Sequence, residues 1–241
     1  MMPDTRSHRG LAPEDARLFA REQLPALRAA TRDLSWLLER GYQPTSALKL
    51  TGDRHALTAR QRAAVSRCAC ADSRARERAR RLQPTAALAG RALQIDGFNV
   101  LTTLEVALSG GVVLLGRDGV LRDIAGVHGS YRRVSETEPA LSLLERTLRA
   151  LGVTACEWLL DAPVSNSGRL CAAINARAVP GWHARVVADP DPLLASSAAI
   201  VASADGEVLD AAANSCNLVR LCVERELPGA FVLDLSADDP V

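Results

Sequence analysis

Three apolar runs in this chain each end at a single aspartate. The runs end at Asp96, Asp161 and Asp205, and a glycine or a loop rich in turn residues follows each one. This pattern predicts three β-strands with a carboxylate at the carboxyl end of each. In a parallel α/β sheet those ends lie at the same edge, where ligands bind. Because Mg²⁺ and Mn²⁺ prefer oxygen ligands, we expect the three aspartates to form a divalent-metal site.

These aspartates also have a plainer structural interpretation. Asp96 precedes Gly97 and would suit a turn, but Asn99, three residues later, favours a functional site. Asp205 precedes Gly206, and this pair is as typical of an ordinary turn as of a metal ligand. Asp96 is therefore the strongest single candidate.

The loop after Asp161 is rich in small polar residues and precedes a predicted helix. Phosphate groups bind readily where hydroxyl, amide and backbone N–H groups meet the N-terminus of a helix. The loop residues that we expect to contact a substrate in this way are Ser165, Asn166 and Ser167. A helix cap without a ligand is an equally good interpretation.

A second group of candidates lies near a glycine-punctuated segment, residues 123–133. Arg122 and His128 bring a cation and an imidazole to this region and are predicted to contact substrate. A structural pair between Arg122 and Asp123 is the plainer interpretation. Asp118-Gly119, between two apolar runs, predicts a hairpin turn and not a ligand.

The charge of the chain is divided unevenly. The net charge is only +1, but residues 1–90 contain 17 Lys or Arg and 9 Asp or Glu, whereas residues 91–241 contain 12 and 19. Arginine-rich surfaces neutralise phosphates and release counterions, so the first part is predicted to bind nucleic acid. A solvated helical surface is the alternative. The predicted phosphate contacts, in a helix capped by Thr58, are Arg60, Arg62 and Arg67.

The order of predicted elements divides the chain into three segments. They are a disordered tail over 1–12, a basic helical region over 13–86 and an α/β domain over 87–241. Strands that alternate with helices in the last segment predict a three-layer α/β/α sandwich with a mainly parallel sheet. One of its predicted helices covers 208–226. Since no apolar run is long enough for a membrane span and no signal peptide is evident, we expect a cytoplasmic protein that does not bind membranes.

Several stretches of the sequence together resemble a known family. They are Asp33–Tyr42, Leu57–Arg62, Ile95–Leu101, Asp118–Tyr131 and Asp161–Gly168. They are similar to an uncharacterised prokaryotic family, domain of unknown function number 434, in which a short helical region precedes a PIN-like domain. The Asp-Gly-Phe-Asn stretch at 96–99 is also similar to the first strand of the PIN-like nuclease superfamily. The likeness covers nearly all of residues 30–220.

The resemblance implies a chemistry for the aspartates. It assigns to Asp96, Asp161 and Asp205 the binding of one or two Mg²⁺ or Mn²⁺ ions that promote phosphodiester cleavage, with Asn99 as an orienting group. PIN-like domains often place another acid at the start of the next helix, where Asn217 stands here. A neutral oxygen weakens a second metal site, which leaves one-metal and degenerate sites open.

Three functions from different classes are consistent with these features. The first is a divalent-metal-dependent nuclease, with RNA favoured over DNA, in which the basic helix guides the phosphate backbone. The second is a non-catalytic nucleic-acid-binding protein on a degenerate PIN-like scaffold. The third is another phosphate-ester enzyme, or a small-ligand module, with a nucleotide bound at 165–168.

Overall fold

The computed structural model describes residues 8–124 and 131–237. Helices make up the first part of the chain, and strands alternate with helices in the rest. The first part contains α1 (Asp15–Leu18), α2 (Leu24–Glu39), α3 (Pro44–Arg54), α4 (Ala59–Cys68) and α5 (Asp72–Arg81). The second part contains β1 (Ala92–Asp96), α6 (Gly97–Leu108), β2 (Val113–Leu115), β3 (Leu121–Asp123), α7 (Thr137–Ala150), β4 (Ala155–Asp161), α8 (Ser167–Ala176), β5 (Trp182–Val187), α9 (Asp191–Ala195), β6 (Ile200–Ala202), α10 (Gly206–Ala211), α11 (Leu218–Glu226) and β7 (Val232–Asp234). Within these ranges, no helix is long and apolar enough to cross a bilayer.

A four-stranded parallel sheet lies at the centre of the second part, with its strands in the order β5-β4-β1-β6. Ile95 of β1 lies beside Trp158 of β4 and Ala202 of β6, and all three are buried. They share a core with residues of α6, α7, α8 and α11. Leu159 and Val201 alternate with these residues along the strands and pack instead with α9 and α10. The predicted α/β class and mainly parallel sheet are confirmed.

Helix α6 begins at Gly97, directly after β1 ends at Asp96. A Cβ atom at position 97 would lie 2.5 Å from Leu160 Cδ2 and 2.9 Å from the Leu159 carbonyl oxygen. Glycine is therefore what allows the helix to start this close to β4. As a result, Asp96 is the N-cap residue of α6 and lies at the carboxyl edge of the sheet.

A second, smaller sheet joins the helical region to the rest of the chain. The hairpin predicted at Asp118-Gly119 is confirmed, because β2 and β3 pair antiparallel and Gly119 has a φ of 75°. β7 pairs with β2 in parallel, which gives the order β3-β2-β7. Leu114 and Leu233 of this sheet share a hydrophobic core with Leu27 and Val65 of the helical region. The predicted segments 13–86 and 87–241 are thus packed through a common core.

Two predicted segments differ from the structure. In the tail predicted to be disordered over 1–12, Arg9 is buried and its Nε donates to Glu105 at 2.5 Å, which anchors this part of the chain. Residues 1–7 lie outside the described residues. The single helix predicted over 208–226 is wrong, because the structure has α10 and α11 there. The backbone between α10 and α11 hydrogen-bonds to Val201 of β6, and these bonds replace helical ones.

A buried ion-pair network ties α5 to the hairpin and to α10. The Asp118 carboxylate accepts from Arg78 Nη1 at 2.6 Å and from Arg122 Nη2 at 2.7 Å. Arg78 Nε also donates to Asp210 at 2.7 Å. Burial alone would raise the pKa of the Asp118 carboxyl, but the bonds and charges of Arg122 and Arg78 outweigh it and lower the pKa to about 2. The carboxylate therefore stays ionised between its two partners.

Replacing Arg78 with alanine is expected to lower the free energy of unfolding by about 3 kcal/mol, because two carboxylates lose a buried partner. Urea unfolding at neutral pH measures the change. Arg80→Ala is the matched control, since Arg80 lies on the same helix, is 72% exposed and pairs only locally with Glu77. It is expected to leave the unfolding midpoint nearly unchanged. Equal losses in the two variants would contradict the structural role of Arg78.

Candidate functional site

Four aspartates meet at the carboxyl edge of the main sheet. Asp96 and Asp161 are the last residues of β1 and β4, Asp191 begins α9 after β5, and Asp205 follows β6. All four line one cavity of about 280 Å³. The other residues that line it are Arg67, Phe98, Asn99, Thr102, Asp123 and Val164. The structure thus brings together the three aspartates and Asn99 predicted from the sequence, and it adds further acids.

Asp96 is the most deeply buried of the four, with 7% of its surface exposed. The pKa of its carboxyl is raised to about 7 in all, chiefly because the group is removed from water. A hydrogen bond from Ser203 Oγ, at 2.7 Å, acts in the opposite direction, while the charges of Asp161 and Asp191 raise the pKa further. Near neutral pH this carboxyl is therefore divided between its protonated and ionised forms, as a group that accepts or donates a proton must be.

Mutual repulsion affects the other carboxylates at this edge. Burial raises the pKa of Asp161, and the charge of Asp189 adds to the effect. At Asp191, loss of surrounding water raises the pKa, and the charges of Asp205, Asp189 and Asp161 raise it further. A cation bound among these groups would offset the repulsion and favour their ionised forms.

The turn after β6 holds Asn99 and Asp205 in position. Asn99 Oδ1 accepts from the Ala204 N–H at 2.9 Å, and the Asp205 N–H donates to Ser203 Oγ at 3.0 Å. The Asp205 carboxylate accepts from the backbone N–H groups of Glu207 and Val208 at 2.8 and 3.2 Å. Both bonds go to Oδ1, so Asp205 caps α10 while it lines the cavity.

The loop after Asp161 uses most of its polar groups to maintain its own shape. Ser167 is buried, and its Oγ donates to the carbonyl oxygens of Asp161 and Val164. Asn166 adopts a φ of 70°, and its Nδ2 donates to the Tyr131 carbonyl at 2.8 Å. Of the three predicted phosphate contacts, these two side chains are committed to the protein, whereas Ser165 is exposed.

The predicted basic contacts lie in different surroundings. Arg60 pairs with the buried Asp15, and Arg62 Nη2 pairs with Asp53 at 2.7 Å. Arg122 is held by Asp118, so the predicted Arg122–Asp123 pair is replaced by an Arg122–Asp118 pair. Arg67 alone of the predicted basic contacts lines the acidic cavity. His128 lies outside the described residues.

Two acids that line the cavity, Asp191 and Asp123, were not among the ligands predicted from the sequence. Asp191 stands in an Asp-Pro-Asp-Pro loop directly after β5, so the rule that identified the other strand-end aspartates also applies to it. Asp123 ends β3 and is buried, and its Oδ2 accepts from Thr103 Oγ1 at 2.9 Å. No local pattern indicates that β3 approaches the main sheet at this point.

Asn217 lies elsewhere than at the acidic cavity. Its Nδ2 donates to the Gly119 carbonyl at 3.4 Å, and it lines a separate small space beside Val120. Glu105, on α6, does not line the acidic cavity either. It is fully buried and bonded to Arg9, Tyr131 and Thr137. The additional carboxylates of the cavity therefore come from Asp191 and Asp123.

The donor set suits a divalent cation, although the ligands are not gathered tightly. The groups available are carboxylate and amide oxygens, which suit Mg²⁺ and Mn²⁺. In residues 8–124 and 131–237, however, no group of three or more His, Cys, Asp or Glu is positioned to hold one ion. A site of this kind needs water or substrate oxygens to complete the coordination.

Two family models match the chain, one within the helical part and one within the α/β part. A family model described as "Domain of unknown function (DUF5616)" matches residues 85–221, more than half of the chain. A second, described as "Protein of unknown function (DUF434)", matches residues 26–81. The chain therefore belongs to the DUF5616 family, with a DUF434 region before it. The resemblance to the family numbered 434 is confirmed for residues 26–81 only, because the stretches after residue 85 match the other family. The resemblance to PIN nucleases stays a prediction.

One relative of the chain is itself uncharacterized. An uncharacterized protein of Methanocaldococcus jannaschii is 31% identical over 152 residues, which are 63% of this chain and 73% of the relative. No solved structure matches the chain.

The raised pKa of Asp96 predicts a specific pH dependence of stability. Between its ordinary value of 3.8 and about 7, the folded state keeps a proton that the unfolded state has released, so stability falls as pH rises through this window. Asn at position 96 does not titrate. From acid to neutral pH, we therefore expect the free energy of unfolding of the wild type to fall by up to about 4 kcal/mol relative to that of Asp96→Asn.

Urea unfolding at several pH values in the presence of chelator measures this difference. Asp161→Asn is the matched control, because Asp161 lies at the same edge but is only partly buried. The difference in unfolding free energy between the wild type and Asp161→Asn should change less with pH. A difference in unfolding free energy between the wild type and Asp96→Asn that does not change with pH would contradict the prediction.

Proposed function

We propose that the protein is a divalent-metal-dependent nuclease that hydrolyses phosphodiester bonds at the acidic cavity. One observation carries the proposal: Asp96 and Asp161, which end two strands of one parallel sheet, and Asp191 and Asp205, which follow its two other strands, line the same cavity. Hydrolysis assisted by metal ions uses this type of carboxylate-lined site. A preference for RNA over DNA is part of the proposal.

The proposal includes a PIN-like three-layer α/β/α sandwich as the scaffold. The packing of α6 and α7 with Ile95, and of α9 and α10 with Leu159 and Val201, supports it. The carboxyl edge of such a sheet is open between the two helical layers, so a ligand can reach the strand ends.

Asp96, Asp161 and Asp191 are the residues that would hold Mg²⁺ or Mn²⁺, and Asp205 would contribute through its carboxylate oxygen that does not cap α10. A bound ion supplies Lewis-acid chemistry by lowering the pKa of water and offsetting charge on a phosphate. Ser203 orients the Asp96 carboxyl through its hydrogen bond. Without a metal ion the pKa of the Asp96 carboxyl is about 7, and a bound cation would lower it and hold the carboxyl in its ionised form. Arg67 offers a guanidinium to a substrate phosphate.

A non-catalytic nucleic-acid-binding protein is the second candidate. It is favoured by two observations: Asp205 serves as a helix cap, and the described residues do not provide a tightly gathered set of acidic ligands. It differs from the first candidate in requiring neither a metal ion nor the ionised form of Asp161. Binding without cleavage would favour it.

The wild type is expected to cleave short single-stranded RNA with Mn²⁺ and to be inactive with chelator. Asp161→Asn should reduce the rate about 100-fold or more, because a lost ligand removes several kcal/mol of transition-state stabilisation. Time courses with end-labelled RNA and DNA measure the rates and the substrate preference.

Asp189→Asn is the matched control for this experiment. Asp189 is exposed, follows the neighbouring strand β5 and does not line the cavity. It acts on Asp161 and Asp191 only through its charge, so its removal should change the rate less than about threefold. Activity that persists in Asp161→Asn, or an inactive wild type with either ion and both substrates, would contradict the proposed nuclease.

A further inference from the structure

A second cavity, of about 230 Å³, adjoins the acidic one. The residues that line both cavities are Arg67, Asn99, Asp123 and Asp205. Beyond these shared residues, the second cavity is lined by Arg78 and Arg122, whereas the first is lined by Asp96, Asp161 and Asp191. Together they form a cleft with a carboxylate end and an arginine end.

The arginines of this cleft are not equivalent. Arg78 and Arg122 are buried and share the Asp118 carboxylate, and Arg122 Nε also donates to the Ala204 carbonyl at 2.8 Å. Arg67, in the last turn of α4, is half-buried and has no hydrogen bond or ion pair within the described part of the chain. Its donors are available to a ligand, whereas the charges of the two buried arginines are offset by Asp118 and Asp210.

Most of the basic surface predicted for the helical region is neutralised internally. Arg60 pairs with Asp15, Arg62 with Asp53, Arg76 with Glu39 and Arg80 with Glu77. Attraction of a polyanion by these residues is therefore weakened. Arg67 differs from these arginines in two ways. It lacks such a partner in the described chain, and it faces the cleft.

We infer that Arg67 anchors the phosphate next to the one that is cleaved, so that the helical region supplies one side of the substrate site. Guanidinium groups bind phosphate oxygens through paired, charge-assisted hydrogen bonds. The inference rests on the proposed function for the identity of the cleaved bond. The contact between Arg67 and a phosphate does not depend on cleavage.

The substrate class follows from the two ends of the cleft. In the inferred arrangement one phosphate lies among the carboxylates and the next one contacts Arg67, so the ligand carries two phosphates joined through a nucleoside. An oligonucleotide fits this requirement and a nucleoside monophosphate does not. Arg67 thus determines a preference for phosphodiester-linked chains.

Fluorescence anisotropy with a labelled oligouridylate tests the inference, in chelator and in Ca²⁺, with uridine monophosphate as a competitor. Arg67→Ala should weaken oligouridylate binding about tenfold or more and make the slope of log K against log salt shallower by about one. The preference for oligouridylate over uridine monophosphate should also be smaller in Arg67→Ala than in the wild type. Arg67→Lys should recover part of the affinity, since it keeps the charge but not the paired geometry. Arg80→Ala is the control and should bind like the wild type.

The outcomes separate the two proposals. If the protein shows no cleavage with Mn²⁺ but Arg67→Ala loses affinity and salt dependence, the nuclease fails and the phosphate anchor is supported. If cleavage occurs but Arg67→Ala changes neither binding nor KM relative to Arg80→Ala, the anchor is overturned and the nuclease stands. A wild type that does not bind oligouridylate in about 50 mM salt under either condition would also overturn the anchor.

Discussion

The carboxylate of Asp118 connects the parts of the molecule that form the cleft. It accepts from Arg78 of the helical region and from Arg122 of the hairpin, and Arg122 reaches on to the Ala204 carbonyl. On its other side, the Ala204 N–H donates to Asn99 on α6. The turn that follows β6 is thus held from both sides. That turn carries Ser203, which orients Asp96, and Asp205, which caps α10.

Burying two guanidiniums and one carboxylate is costly, because the desolvation of each charge opposes the attraction between them. An apolar contact of the same volume would be as stable or more so, but it would not fix the positions of three separate segments. The low pKa of Asp118 indicates that the attraction outweighs burial at this position. At Asp96 the balance is reversed. Its hydrogen bond from Ser203 does not compensate for burial and for the neighbouring acids, so its pKa is raised. The ion-paired carboxylate supports the scaffold, and the unpaired one is left for chemistry.

The sequence was sufficient to predict features that depend on local patterns. Strand-end aspartates at Asp96 and Asp161, the Asp-Gly hairpin and the parallel sheet all follow from apolar periodicity and turn chemistry. The same rule would have found Asp191, had the Asp-Pro-Asp-Pro loop been treated as a strand end. Pairings between distant residues had no such signal. Arg78 and Asp118 are 40 positions apart, and Arg9 and Glu105 are 96 apart. Composition gave the positive charge of residues 1–90, but it did not reveal that many of those arginines are paired with acids inside the fold.

The two matched family regions meet at the cleft. Residues 26–81 include α4 and its Arg67, and residues 85–221 include all five cavity aspartates. Neither region alone contains both the carboxylates and the available cation. Their shared hydrophobic core, with Val65 two residues from Arg67 and in contact with the second sheet, limits how far α4 can move from the strand ends. A rigid connection of this kind would keep the guanidinium at a constant distance from the acids. In the proposed substrate site the helical region supplies Arg67, so its association with the α/β part would have a chemical reason as well as a structural one.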